Sequence, residues 1–492
     1  MNSIRRSLMF SFLEKYSVIA LNLVMVVVVS RLLTPVEIGI FMVGAAVVMM
    51  TDAFRNFGVT IYLIQERELT REGVRTAFTI SLLLSLLFAA ALFALSGPIA
   101  VFYGEPGLKM ILRFAAVGCL IVPFSAPIMA LLQRDMAFDR LAVINVVSTA
   151  ISFVVVVALA MFGFGYMSLA WAGLVAAAAT AAMALMYRPQ FWVFVPALTD
   201  WRKILSFGGY SSATVLLNVF YEQLPQLILG RFLTFGAVGI YSRSLMLCRI
   251  FDRFVLSAVA PVVLPALSAH VRKGHELKQP YLRAISYMTA VQWPFLVCLA
   301  LLADPIVYIV LGSQWLEAAP LVRLIALATI GMFAAFMTYP VLVSVGRIQD
   351  TLWASLISLP PSVALVYGAA HISLEAVAAS MFVTIPFQVY VALRFVRRHV
   401  AFSWSELAFS TAKSALVTLF AATPPAAMVA LMGFDLPIPV ALAAGLAAAA
   451  TWSVGLALTS HPLLTEVQNA CRQAASVLRD YQHRRLAGTA AQ

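Results

Sequence analysis

Long apolar segments recur along the whole chain, and they limit its fold more than any other feature of the sequence. Runs of about 18 or more residues with few charges are long enough to cross the hydrocarbon core of a bilayer as α-helices. Only helices and closed barrels satisfy all of their backbone polar groups inside lipid. The sequence therefore predicts an all-α integral membrane protein.

Division into apolar runs of about 20 residues predicts about fourteen transmembrane helices. The remaining segments are too short to fold as a separate soluble domain, so the function must lie in the helices and short loops. A content of 62% hydrophobic and 11% charged residues agrees with this class. The predicted helices are 8–32, 36–62, 76–101, 108–132, 141–163, 166–187, 204–230, 236–268, 284–311, 319–345, 350–370, 374–396, 408–432 and 436–460.

Basic residues lie mostly on one side of the predicted helices. Short cytoplasmic loops are enriched in Lys and Arg, so that side is predicted to be cytoplasmic, and only Arg31, Lys109 and Arg231 are assigned to the other. Both termini are then cytoplasmic, which requires an even number of helices. The formal net charge of +12 is explained by these loops, and no nucleic-acid partner is expected.

A segment near the start of the chain returns 200 positions later, from 30 to 230. Ser30 to Phe41 reads SRLLTPVEIGIF, and Gly230 to Tyr241 reads GRFLTFGAVGIY. Six predicted helices separate the two copies, so we predict two six-helix bundles that are parallel repeats, plus two extra helices. The predicted units are an N-terminal bundle at 1–190, a C-terminal bundle at 191–400, two additional helices at 401–462 and a basic cytoplasmic tail at 463–492.

The tail has two interpretations. Its apolar residues recur at helical spacing with arginines between them, which is typical of an amphipathic helix on anionic lipid. A frayed basic tail is the other interpretation. The four cysteines, Cys119, Cys248, Cys298 and Cys471, have neither disulfide-framework nor metal-ligand spacing, so no metal and no cofactor is expected.

Ionisable residues at predicted membrane depth concentrate in helices 1, 2, 7 and 8. A charge at the bilayer centre is costly, so such residues usually face a polar cavity or one another. A surplus of arginine favours a phosphate-bearing or acidic substrate, because guanidinium binds phosphate oxygens bidentately and stays charged. The candidate substrate-binding residues are Lys15, Arg55, Arg243, Arg249 and Arg253, and the candidate coupling-ion residues are Glu14, Asp52, Glu222 and Asp252.

Each candidate also has a purely structural interpretation. The pairs Asp52/Arg55 and Arg249/Asp252 are three residues apart, so each pair can neutralise itself on one helix face. Lys15 and Arg243 are near enough to helix ends to extend toward water. Apart from Lys15 beside Glu14, neither Glu14 nor Glu222 has a basic residue one turn away. Each glutamate is either a coupling-ion site or a protonated acid with a packing role.

Short motifs across about residues 8–460 occur in the same order as in a known family of membrane proteins. They include Arg31-Leu32-Leu33-Thr34-Pro35 with Gly39, Asn56-Phe57-Gly58, Leu132-Gln133-Arg134, Gly239-Ile240-Tyr241-Ser242-Arg243 and Gly312-Ser313-Gln314-Trp315. Together they resemble the polysaccharide-transport branch of the MOP flippase superfamily. The resemblance implies two six-helix bundles around a central cavity, plus two extra helices. It also implies translocation of an undecaprenyl-diphosphate-linked oligosaccharide across the bacterial inner membrane for exopolysaccharide, capsule or O-antigen assembly.

The leading hypothesis is therefore a multi-pass flippase whose substrate is a lipid-linked oligosaccharide. Its expected partners are membrane lipid, which surrounds the protein, and the polysaccharide polymerase machinery as a candidate. An exporter of another solute in the same superfamily is the first alternative, although the positive cavity disfavours a cationic drug. A non-transporting scaffold of the assembly machinery is the second. A membrane glycosyltransferase or polymerase generally needs a soluble region or catalytic acids beside histidine, so the chain is not predicted to be an enzyme.

Overall fold

The computed structural model of the chain is built from helices, and no strand occurs among the residues it describes. These are residues 2–55, 58–199, 201–206, 209–466 and 468–469. Most of the predicted amphipathic tail, including Cys471, lies outside the described residues.

The first half of the chain forms nine helices within the described ranges. Most of their bounds follow the apolar runs, but the predicted helix 36–62 corresponds to two helices, Pro35–Arg55 and Val59–Gln65. The predicted helix 108–132 is divided at a 3₁₀ turn, Val122–Phe124, which contains Pro123. The helices are α1 (Asn2–Leu32), α2 (Pro35–Arg55), α3 (Val59–Gln65), α4 (Arg71–Tyr103), α5 (Gly107–Ile121), α6 (Ala126–Arg134), α7 (Phe138–Met161), α8 (Met167–Tyr187) and α9 (Trp201–Ser206).

The rest of the described chain contributes eleven more helices. A π-helical turn at Asp252–Leu256 interrupts the predicted helix 236–268, and a 3₁₀ segment at Ile330–Ala334 interrupts 319–345. The helices are α10 (Gly209–Phe232), α11 (Phe235–Cys248), α12 (Ser257–Arg272), α13 (Lys278–Leu301), α14 (Ala303–Val310), α15 (Ala318–Thr329), α16 (Ala335–Ser344), α17 (Ile348–Ala370), α18 (Leu374–Val396), α19 (Trp404–Met432) and α20 (Ile438–Leu458).

Twelve helical segments of the described chain are long and apolar enough to cross a membrane. The prediction of an all-α membrane protein is confirmed, whereas the count of fourteen and the cytoplasmic location of both termini stay predictions. At the places predicted for helices 7 and 8 lie α10 and the shorter apolar helix α11. The twelve segments are Leu13–Leu32, Pro35–Arg55, Arg71–Tyr103, Gly107–Phe124, Phe138–Met161, Met167–Tyr187, Lys278–Leu301, Ala318–Ser344, Ile348–Ala370, Leu374–Val396, Trp404–Met432 and Ile438–Leu458.

The same helix pairs pack together in both halves of the chain. In the first half α1 packs on α7, α7 on α8, α8 on α5 and α5 on α2. In the second half α10 packs on α17, α17 on α18, α18 on α15 and α15 on α11. Helices α19 and α20 pack on each other and α19 packs along α13. The indole Nε1 of Trp452 also donates to the Ala290 carbonyl at 2.7 Å, which joins α20 to α13.

The two halves meet where α2 crosses α11. A Cβ atom built on Gly39 would lie 1.7 Å from the carbonyl oxygen of Phe235, and one built on Gly239 would lie 2.0 Å from that of Pro35. Only glycine allows two helix backbones to approach so closely. We call this crossing, with Gly39 and Gly239, the glycine contact.

Two further contacts join the halves at the same end of the molecule. The indole Nε1 of Trp315 donates to the Ser30 carbonyl at the end of α1 at 2.6 Å. The hydroxyl of Tyr103, at the end of α4, donates to the Leu227 carbonyl of α10 at 3.2 Å. Each half therefore holds the first helix of the other half near the glycine contact.

Candidate functional site: a polar cavity between α1, α7 and α8

A cavity of about 720 Å³ opens between α1, α7 and α8. Its wall is completed from the second half of the chain by Arg253, which the π-helical turn Asp252–Leu256 presents. We call this space the polar cavity. Its polar lining residues are Glu14, Lys15, Asn22, Asn145, Ser148, Thr149, Ser152, Thr180 and Arg253.

The charged groups of the polar cavity are unequal in number. Among the described lining residues, Lys15 and Arg253 are cationic and Glu14 is a carboxylic acid. The amide Nδ2 of Asn145 donates a hydrogen bond of 2.6 Å to Oε1 of Glu14, which fixes the carboxylate against α7. The side chains of Lys15 and Arg253 are exposed and that of Glu14 is half-buried, so an anion entering the cavity meets an excess of positive charge.

One wall of the polar cavity is a stripe of polar residues on α7. The stripe begins at Asn145 and continues with Ser148, Thr149 and Ser152, which are three, four and seven residues farther along the chain. This spacing places all four side chains on one face of the helix. We call these four residues the α7 stripe. In the sequence they are the polar positions of an apolar run, and their helical spacing is the signal that could have identified them.

Asp52 and Arg55 lie in a different place from the polar cavity. They form an ion pair of 3.0 Å beside an apolar cavity of about 300 Å³ between α2, α5 and α8. Nη1 of Arg55 also lies 3.5 Å from the Cys119 carbonyl, which it contacts as a donor. Arg55 is buried and paired, so its charge is compensated within α2 as the self-neutralised alternative predicted.

Arg249 forms an ion pair with Glu222 of α10, whereas the sequence spacing paired it with Asp252. Its Nη1 lies 3.4 Å from Oε1 of Glu222 on α10, and both side chains are nearly half exposed. Glu222 therefore has a basic partner from the neighbouring helix, and Asp252 is half-buried at the start of the π-helical turn. Spacing along one helix does not report pairs between helices, which is why sequence reasoning paired Arg249 with Asp252.

Arg243 is buried in α11, away from the lining of the polar cavity. Its guanidinium lies over the Trp315 ring at 5.9 Å, and Nη1 is 4.0 Å from the sulfur of Met246. The structure thus places Arg243 against Trp315, whose indole contacts Ser30 of the first half. Two further arginines outside the predicted helices 1, 2, 7 and 8 also have partners: Arg113 stacks on Phe93 at 4.8 Å, and Arg323 pairs with Asp304.

Comparison with known proteins identifies the family. A sequence model of the family described as "Polysaccharide biosynthesis protein" matches residues 28–320. The chain belongs to this family. The resemblance to the polysaccharide-transport branch of the MOP flippase superfamily, predicted from the motifs, is confirmed.

Several bacterial proteins of polysaccharide biosynthesis are similar along more than half of the chain. The succinoglycan biosynthesis transport protein ExoT of Rhizobium meliloti (strain 1021) is 28% identical over 376 residues, 75% of this chain and 74% of that one. The lipopolysaccharide biosynthesis protein WzxC of Escherichia coli (strain K12) is 21% identical over 63% of each chain. The teichuronic acid biosynthesis protein TuaB of Bacillus subtilis (strain 168) is 23% identical over 56% of this chain and 57% of its own.

Two solved structures share the fold. The lipid II flippase MurJ, in an inward closed conformation, has a TM-score of 0.73 at 12% identity and covers 93% of this chain and 100% of its own. An inward-facing multidrug resistance MATE family transporter of the MOP superfamily has a TM-score of 0.65 at 16% identity, over 80% of this chain and 96% of its own. With its twelve candidate membrane helices, this member of the polysaccharide biosynthesis family is a multi-pass membrane protein, as predicted.

The polar cavity thus contains three of the nine predicted site residues, Glu14, Lys15 and Arg253. The other six lie in ion pairs, at the π-helical turn or, for Arg243, against Trp315. Among the described residues no group of three or more His, Cys, Asp or Glu side chains is arranged to hold a metal ion. The described cysteines, Cys119, Cys248 and Cys298, are free thiols.

Proposed function

We propose that this protein translocates an undecaprenyl-diphosphate-linked oligosaccharide across the bacterial inner membrane by alternating access, and that it is not an enzyme. The observation that carries the proposal is the polar cavity, with Lys15 and Arg253 against Glu14. Charged and hydrogen-bonding side chains in a membrane bundle are costly unless they serve a substrate or ion pathway. The names of the relatives, which include a succinoglycan transport protein and a lipopolysaccharide biosynthesis protein, support a polysaccharide precursor.

Lys15 and Arg253 are the residues we assign to the diphosphate. A diphosphate carries several anionic oxygens, and Arg binds such oxygens bidentately while Lys acts as a compact point charge. The two cations come from different halves of the chain, α1 and the turn after α11. A bound diphosphate would join these halves, so its binding energy can differ between two arrangements of the halves, as alternating access requires. The polyprenyl chain stays in lipid.

Glu14 is the candidate for coupling to a proton. It is the acid in the lining of the polar cavity, whereas Asp52 and Glu222 are engaged in ion pairs with Arg55 and Arg249. The Asn145 amide holds the Glu14 carboxyl group at the wall of the cavity through a hydrogen bond of 2.6 Å. Proton binding removes the negative charge from a cavity that also holds Lys15 and Arg253, which raises its affinity for an anion.

The arrangement of the helices is proposed to be two parallel repeats within fourteen transmembrane helices, with both termini cytoplasmic. The reciprocal glycine contact supports this, because Gly39 meets Phe235 and Gly239 meets Pro35, and both glycines and both contact residues are related by the same shift of 200. The matching helix pairs in the two halves support it as well. In this topology the glycine contact is periplasmic and the polar cavity lies in the cytoplasmic half.

Translocation in proteoliposomes tests the proposal. Vesicles would carry a fluorescent undecaprenyl-diphosphate-linked disaccharide, and transfer would be measured by its protection from a membrane-impermeant quencher. We expect the protein to catalyse transfer and the double variant Lys15→Ala/Arg253→Ala to lose at least tenfold in rate. The matched control is Lys109→Ala/Arg398→Ala, which removes two cations that do not line the polar cavity.

The outcomes separate the candidate functions. Transfer that is lost in the cavity variant and kept in the control supports a flippase with an anion-binding cavity. Equal transfer by both variants contradicts the role given to Lys15 and Arg253. Absence of transfer by the folded wild-type protein, together with efflux of a small labelled solute, would instead support an exporter, and absence of both would support a scaffold.

A further inference from the structure

The proposed function assigns the diphosphate to Lys15 and Arg253 and gives no role to the α7 stripe. We propose that the α7 stripe is the glycan subsite of the polar cavity, where Asn145, Ser148, Thr149 and Ser152 bind the hydroxyl groups of the first sugars. This inference rests on the proposed function. It adds a division of labour, in which the cations hold the diphosphate and a neutral wall recognises the sugar.

The chemistry of the α7 stripe suits a polyol. Hydroxyl and amide side chains both donate and accept hydrogen bonds, as sugar hydroxyls do. The four residues are uncharged, so they neither compete with the diphosphate for Lys15 and Arg253 nor repel an uncharged sugar. The stripe runs over seven residues of helix, roughly 10 Å at 1.5 Å per residue. It is therefore an extended surface rather than a single contact.

The α7 stripe lies beside both cations of the polar cavity. Asn145, at one end of the stripe, contacts Glu14, and Lys15 is the next residue of α1. Arg253 lies farther along α1, because it also lines a neighbouring cavity together with Asn22. One cation is therefore near Asn145 and the other near Asn22. A sugar attached to a diphosphate between these cations faces the α7 stripe.

Ser148 is the residue of the α7 stripe that most directly indicates a ligand. It is buried, lines the polar cavity, and its hydroxyl has no hydrogen-bond partner among the described residues. By contrast, the buried helical serines Ser244 and Ser358 donate to the carbonyl of the preceding turn. Buried polar atoms are nearly always paired, so an unpaired hydroxyl that faces a cavity is satisfied when a ligand hydroxyl arrives.

The neighbours of Ser148 are partly engaged but keep free capacity. The Thr149 hydroxyl donates to the Asn145 carbonyl at 2.7 Å, and the Ser152 hydroxyl lies 3.4 Å from the Ala172 carbonyl of α8. A hydroxyl oxygen that donates one hydrogen bond still accepts others. These two residues therefore present acceptors to the cavity while Ser148 is able both to donate and to accept.

Binding of two probes to the purified full-length protein tests the inference. The first probe is bare undecaprenyl diphosphate, and the second is a panel of the same carrier bearing a disaccharide of neutral hexoses, N-acetylhexosamines or uronic acids. We expect at least one glycosylated carrier to bind more tightly than the bare carrier. Ser148→Ala should weaken binding of that carrier about tenfold, the size of one good hydrogen bond, and leave the bare carrier unchanged.

The chain offers a matched control for Ser148. Ser85 of α4 is also buried and without a partner among the described residues, but it does not line the polar cavity. Ser85→Ala should change the affinity for neither probe, and Ser148→Thr, which keeps the hydroxyl, should retain preference for the glycosylated carrier. Thermal unfolding of each variant in detergent verifies that the protein is folded.

Failure of this inference is distinguishable from failure of the proposed function. If Ser148→Ala weakens both probes equally, or neither of them, the α7 stripe is not a glycan subsite. A wild-type protein that binds the bare carrier as tightly as every glycosylated one leads to the same conclusion. If instead the folded wild type binds no probe, or Lys15→Ala/Arg253→Ala leaves all affinities unchanged, the anion-binding cavity itself is wrong.

Discussion

Gly39 of α2 and Gly239 of α11 lie against each other's helix where the two halves of the chain cross. The missing Cβ atoms would fall 1.7 Å from the Phe235 carbonyl oxygen and 2.0 Å from the Pro35 carbonyl oxygen. Both obstacles are backbone atoms, so no rotamer change relieves them. The glycine contact is therefore a place where the sequence determines how closely the two halves can approach.

The first prediction concerns the glycine contact. Gly39→Ala or Gly239→Ala should force α2 and α11 apart and destabilise the protein by about 1–3 kcal/mol, as overpacking of a close contact does. Thermal unfolding in detergent micelles measures the effect. Gly97→Ala in α4 is the matched control, because a Cβ there meets nothing within 4 Å. If the Gly39 and Gly97 variants unfold at the same temperature, the halves do not touch at this point.

The second prediction concerns Trp315, whose ring is fully buried and whose Nε1 donates to the Ser30 carbonyl. Trp315→Phe removes this hydrogen bond and leaves a small void. The loss of stability should be about 2 kcal/mol, since Nε2 of Gln314 also donates to the Ser30 carbonyl and keeps it paired. Trp353→Phe, at a ring that is 57% exposed, should change stability by less than about 0.5 kcal/mol. Chemical denaturation of both variants measures the difference.

Apolar run length predicted most helices well, because crossing a bilayer requires a nearly fixed number of apolar residues. The predicted helix 374–396 has the bounds of α18. The interruptions at Asp252–Leu256 and Ile330–Ala334 were not predicted as breaks, since a run keeps its length and composition whether or not the helix bends within it. The π-helical turn matters because it carries Arg253 to the polar cavity.

The site was only partly predictable for a related reason. Membrane-depth charge singled out Glu14, Lys15 and Arg253, which do line the polar cavity. Charge and depth alone did not distinguish these three residues from Glu222 and Arg249. The ion pair between Glu222 and Arg249 joins two helices, so it depends on how the helices pack. Ser148 was overlooked because isolated serines are common in membrane helices, and only the packing shows that its hydroxyl has no partner among the described residues.

The third prediction tests coupling at Glu14. In Glu14→Gln the side-chain oxygen still accepts the hydrogen bond from Asn145, but the group no longer binds a proton. We expect translocation to continue while losing its dependence on a pH gradient. Glu222→Gln is the comparison, since its acid is paired with Arg249 outside the polar cavity, and it should keep the dependence. Dependence that survives in Glu14→Gln and disappears in Glu222→Gln would move the coupling site to α10.

The fourth prediction concerns His461, which is buried after the end of α20. The Leu463 N–H donates to its Nδ1 at 3.1 Å, so the neutral ring carries its proton on Nε2, beside the hydroxyls of Ser286 and Ser414 at 3.1 and 3.2 Å. Burial, and then the charge of Lys413, lower the pKa of His461 below its ordinary value of 6.5. The fold therefore favours the neutral form of this histidine more than the unfolded chain does.

The sign of the resulting pH dependence follows from proton uptake. Because the pKa of His461 is lower in the folded protein than in the unfolded chain, unfolding takes up protons as the pH falls through 6.5, and stability decreases until the pH reaches the folded pKa. The unfolding temperature of the wild type should decrease between pH 7.5 and pH 5. In His461→Gln this part of the decrease should be absent. His371→Gln removes an exposed histidine and should leave the slope of the wild type unchanged. Equal slopes in the wild type and His461→Gln would show that His461 is not held neutral by the fold.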